Sequence, residues 1–110
     1  MQHKAPSAVV KDLDRQTRSI LRPIDVLKLS KGLRDTLSDM HQALSDARVY
    51  TSDYELSETR EQQLENAKHA KRYLNKANKA ILSASEHDIF SPLDVAHLAA
   101  LIDQIKGDLK

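Results

Sequence analysis

The chain has 110 residues, of which 40% are hydrophobic and 30% charged, with no cysteine and a formal net charge of +1. That length fits one domain with one modest core. The composition is too apolar for disorder and, with two glycines and three prolines, too poor in turn formers for a many-stranded β fold. The lack of cysteine removes disulfide, thiolate-zinc and cysteine-nucleophile chemistry, and the near-balanced charge lacks the basic excess of a typical nucleic-acid binder.

Aromatic residues make up 4% and tryptophan is absent, so the core must be built from Leu, Ile, Val and Ala, of which Leu and Ala lead the helix propensity scale. The expected class is all-α, a three- to four-helix bundle with long antiparallel second and third helices. Residues 1–110 read as a single helical domain, with 1–6 flexible. The first ten residues hold no apolar signal core, and no apolar run approaches the roughly 20 residues of a membrane span. The expectation is a soluble cytoplasmic protein without a membrane partner.

The first helix is predicted from Ser7, its cap, to Leu21, with Val10, Leu13, Thr17, Ile20 and Leu21 on one stripe. Pro23 ends it, because the residue before a proline disfavours α conformation. The second begins at Ile24 or a few residues later. Its stripe is Leu29, Leu33, Leu37, Met40, Leu44 and Ala47, and Thr51-Ser52-Asp53 predicts a connection. The third is the most regular: Leu56, Arg60, Gln63, Ala67, Ala70, Leu74, Ala77, Ile81 and Ala84 repeat every 3.5 residues on average, the coiled-coil period. Its small alanines predict close approach of a lengthwise partner helix. After a loop at 85–90, Ser91-Pro92-Leu93-Asp94 predicts a helix start, with Ser91 as cap, Pro92 at the first position and Phe90 as a staple. Val95, Leu98, Leu101, Ile102 and Ile105 give this fourth helix a wide apolar arc, so it is expected to be the most buried. Leu64 joins these residues in the expected core.

The charged residues offer one candidate surface. Lys68, Lys71, Arg72, Lys76 and Lys79 fall mostly on one face of the third helix, and Arg15, Arg18 and Arg22 sit on the first. Together they form a possible anion or nucleic-acid face. The simpler reading is a solvated face. Glu55, Glu58, Glu61 and Glu65 precede the lysines, and that segregation complements the helix dipole. Stacking surfaces for single-stranded nucleic acid are missing, since only Tyr73 lies among these cations.

The histidines His3, His41, His69, His87 and His97 show no metal spacing of three or four, and Glu86-His87-Asp88 are adjacent residues, which rarely converge on one ion. No catalytic residue, metal site or cofactor is expected. Paired carboxylates such as Asp12 with Asp14 and Asp35 with Asp39 lack the apolar setting that tunes acid–base groups. Two glycines, Gly32 and Gly107, leave no phosphate-cradling loop.

In length and helical content the chain is similar to histidine phosphotransfer domains, which carry an exposed His followed by Lys at the third place and Gly at the fourth. His69 has Arg72 and Tyr73 at those places, and His97 has Ala100 and Leu101 on a face expected to be buried. The resemblance covers these few residues and departs from the pattern at the glycine. The leading expectation is a non-enzymatic protein–protein interaction module of the adaptor, chaperone or inhibitor type. It would act as a homodimer that closes an apolar seam left open by one bundle. A nucleic-acid-associated regulator is the alternative, and a histidine phosphotransfer domain a remote one.

Overall fold

The structure, a computed structural model, describes residues 4–110; His3 and the start of the expected flexible stretch lie outside them. Four α-helices are present among the described residues. Helix α1 (Pro6–Leu21) starts on Pro6, whose missing amide costs nothing at the first position. Ser7 is not its cap. Ala5 occupies that place without a side-chain acceptor, and the Ser7 amide and hydroxyl instead donate to the Glu55 carboxylate at 2.9 and 2.7 Å. A carboxylate from the second helix thus takes up an orphan donor at the positive end of the α1 dipole.

A 3-10 turn over Val26–Lys28 follows, and Ser30 then caps α2 (Lys31–Leu56), accepting from the Leu33 amide at 3.3 Å. The connection expected at Thr51–Asp53 does not exist. Thr51 is fully buried, and its hydroxyl donates to the Ala47 and Arg48 carbonyls at 2.8 and 3.0 Å. With its polar group satisfied inside the helix, its turn-forming tendency is overridden by burial. The chain turns instead at residues 57–59. There Thr59 accepts from the Gln62 amide at 3.1 Å, the Gln62 side chain accepts from the Glu58 amide at 3.1 Å, and Asn66 donates to the Ser57 hydroxyl at 3.0 Å.

Helix α3 (Arg60–Ser85) matches α2 at 26 residues, or about 39 Å at 1.5 Å per residue. After it Asp88 adopts φ 61°, a left-handed conformation that a short polar side chain tolerates. Helix α4 (Pro92–Asp108) has the expected capping box, in which Ser91 and Asp94 each accept from the other's amide at 3.1 and 3.2 Å.

α2 and α3 form a long antiparallel pair. α1 packs on α2 and α4, and α4 packs on α1 and α3, so the helices run up, down, up, down around one core. Ala43 and Ala47 of α2 and Ala67, Ala70, Ala77 and Ala84 of α3 are buried, and these small side chains let the long pair approach closely. Leu13, Met40, Leu44, Leu74, Ile81, Leu98 and Ile105 fill the centre, and Phe90 and Leu109 close the ends.

Leu64 is 50% exposed, against expectation, because the continuous part of the α3 seam begins at Ala67. Leu29, Ile20, Val95 and Leu101 pack at the core's edge. Nor is α4 the most buried helix. It buries Leu98, Ile102 and Ile105 toward α1 and α3, while Leu93, Ala96, His97 and Ala100 face outward, since a helix at a bundle corner has neighbours on one side only. No helix among the described residues is long and apolar enough to cross a membrane.

Candidate interaction surfaces

The cations singled out in the sequence divide between two sides of the bundle. Arg15, Arg18 and Arg22 are exposed on α1. Arg18 Nε lies 2.9 Å from Asp14 and Arg15 Nη2 3.5 Å from Asp12, whose carboxyl is held below the ordinary range chiefly by its hydrogen bond from Lys4. Lys68, Arg72, Lys76 and Lys79 are exposed on α3, with Lys71 half-buried. Because α1 packs on α2 and α4 and lies across the bundle from α3, the two sets do not merge into one patch.

What α3 faces instead is α2. A groove of about 470 Å³ between them is lined by Asp39, Gln42 and Asp46 on one side and by Tyr73, Lys76 and Lys79 on the other. Above it α2 contributes a ring that the sequence reading missed. Tyr50 stacks on Tyr73 with centroids 5.6 Å apart and 8° between planes, and the His69 ring lies 4.9 Å from Tyr50, tilted by 31°. Lys76 Nζ sits 5.7 Å from the Tyr73 ring centre, a cation–π contact. Spacing alone gives no signal for the pair, since Tyr50 lies eight residues before the centre of the turn at 57–59 and Tyr73 fifteen after it; the two long side chains meet across that offset.

Of the remaining histidines, His87 and His97 are exposed, although His97 was expected at the core's edge; it points outward because α4 buries the side carrying Leu98 and Ile102. His69 Nε2 pairs with Glu65 at 3.1 Å. His41 sits between α1 and α2, its Nδ1 buried, without a hydrogen bond and 4.0 Å from Asp14 Oδ1. Burial, then the charge of Arg18, lowers its pKa, with Asp14 opposing. Among the described residues no three His, Asp or Glu side chains gather as metal ligands do.

The third surface is apolar. At the end of the bundle where α1 stops and α4 begins, a cleft of about 860 Å³ is lined by Ile20, Ile24, Ile89, Phe90, Val95 and Pro92, with Asp88 and Asp94 among its polar members. The same connections carry two of the most exposed leucines of the chain, Leu27 at 83% on the 3-10 turn and Leu93 at 80% in the first turn of α4. Comparison with protein-family models, with curated proteins and with solved structures finds no match to this chain.

Proposed function

We propose that this chain is a small non-enzymatic protein–protein interaction module of the adaptor, chaperone or inhibitor type, acting as a cytoplasmic homodimer. The observation that carries this reading is the cleft between the end of α1 and the start of α4. Apolar surface removed from water is the main drive for association, and a contiguous apolar cleft marks a docking site where scattered single residues do not. The occupant that suits it is an amphipathic segment of a partner protein. Its apolar side chains would lie on Ile20, Ile24, Ile89 and Val95, and its basic flanks would meet Asp88 and Asp94. Two experiments test the reading. Sedimentation of the wild type should report a dimer, and a monomer at every concentration refutes the homodimer. An environment-sensitive apolar dye should bind the folded wild type and be lost from the Ile24→Asp variant; equal dye binding by both removes the cleft.

One observation favours a second reading, a nucleic-acid-associated regulator. The Tyr50–Tyr73 stack stands beside Lys76, and rings next to cations are what single strands stack upon. Fluorescence anisotropy with labelled single-stranded RNA and duplex DNA at low and near-physiological salt tests it. Binding should weaken steeply with salt and vanish in the Arg72→Glu, Lys76→Glu variant; unchanged binding by that variant sinks it.

A further inference from the structure

The outer face of the α2–α3 pair carries opposite charges in parallel rows. On α2, Asp35, Asp39, Asp46 and Asp53 recur at spacings of four and seven, which keeps them on one side of a helix. On α3, Arg72, Lys76 and Lys79 recur at four and three. Asp39 and Asp46 line one wall of the 470 Å³ groove, and Lys76 and Lys79 line the other. Yet among the described residues no ion pair joins the two walls. Within one chain Asp46 instead accepts from the Gln42 side chain at 3.2 Å, and Lys76 lies over the Tyr73 ring.

We infer that this face binds a second copy of the chain, about a twofold axis parallel to α2 and α3; the inference rests on the homodimer reading and assigns it a surface. A twofold interface must be self-complementary, and charge decides which axis satisfies that here. Rotation about an axis parallel to the helices lays α2 of one copy over α3 of the other and preserves height along the bundle. Asp46 of each copy then lies at the level of Tyr73 and Lys76 of the other, and Asp39 at the level of Lys79, because those residues already share heights across the groove within one chain. Rotation about an axis perpendicular to the helices lays α2 on α2, acid against acid, and α3 on α3, base against base. Like charges opposed in an interface select against that arrangement. Tyr50 and Tyr73, half-buried in one chain, supply the amphipathic centre that interfaces favour. The apolar cleft at the bundle end lies between α1 and α4, away from this face, and stays open for its own partner.

Charge reversal of one row at a time tests the proposal. Asp39→Lys with Asp46→Lys turns both walls of the groove basic, and Lys76→Glu with Lys79→Glu turns both acidic. Asp39, Lys76 and Lys79 are exposed and Asp46 is half-buried, and circular dichroism should show both variants folded. In sedimentation each variant alone should dimerise at least roughly tenfold more weakly than the wild type. An equimolar mixture of the two should recover a 1:1 heterodimer, which misfolded chains could not produce. A wild type that is monomeric throughout overturns this inference together with the homodimer reading. A dimeric wild type whose two variants dimerise equally well, or fail to pair when mixed, overturns this face and leaves the homodimer standing.

Discussion

Leu74 and Leu64 are the same residue type on one helix, ten positions apart, and their truncation should separate sharply. Leu74 is 0% exposed and Leu64 50% exposed. Leu74→Ala removes three carbons from a sealed site. At about 0.8 kcal/mol each this loses about 2.4 kcal/mol of transfer energy, and the cavity left behind raises the expected cost into the range of about 2.5–5 kcal/mol. Leu64→Ala removes the same carbons from a site half open to water, where no cavity is sealed, so about 1 kcal/mol is expected. Against a total stability of about 5–15 kcal/mol, the first change is severe and the second mild. Urea unfolding followed by helical circular dichroism should show the midpoint falling several times further for Leu74→Ala, with similar slopes for both. Equal losses, or a larger loss for Leu64→Ala, would refute a packed seam that begins at Ala67 and would restore Leu64 to the core.

Three further outcomes follow from particular contacts. Glu55→Ala should cost about 1 kcal/mol in urea unfolding, because the Ser7 amide and hydroxyl lose their acceptor; a loss no greater than that of Glu58→Ala, which changes an exposed acid near the same turn, speaks against the cross-helix cap. Ser91→Ala should likewise cost about 1 kcal/mol by breaking the capping box, and an unchanged midpoint rejects it. His41 has a folded pKa below its ordinary 6.5, so the unfolded chain binds its proton more tightly; its contribution is intact above that value and stability falls as pH drops below it. The melting temperature of His41→Gln should therefore decline less than that of the wild type between about pH 7.5 and 5.5, and identical declines assign the effect elsewhere.

Much of the fold was legible because its signals are local. Ser91-Pro92-Leu93-Asp94 contains its own acceptor, its own proline and its own acid within one turn, so nothing distant could overrule it. The apolar stripes from Leu33 to Ala47 and from Ala67 to Ala84 fixed two long helices and their antiparallel packing. The failures are residues whose behaviour depends on a neighbour. Ser7 is a good cap by type, yet Glu55, 48 positions away, turns it into a donor. Thr51 belongs to a turn-forming tripeptide, yet a buried slot in α2 keeps it helical. Leu64 is apolar and was expected in the core, yet it lies before the continuous seam begins at Ala67 and is half open to water. In each case tertiary packing reassigns a side chain whose local preference was read correctly.

The candidate surfaces were less legible than the fold, for a geometric reason. A charge row on one helix is visible as spacing, but its meaning depends on which helix lies beside it. The acidic residues at 39 and 46 and the basic ones at 76 and 79 become a pair of facing walls only because the turn at 57–59 is too short to let α2 and α3 do anything but run back along each other. The same topology sends α1 across the bundle from α3, which divides the cations that the sequence grouped as one candidate face. Short connections therefore decide more than the order of the helices. They set which charges oppose across a groove, and so which arrangement of charge any partner of that groove would have to match.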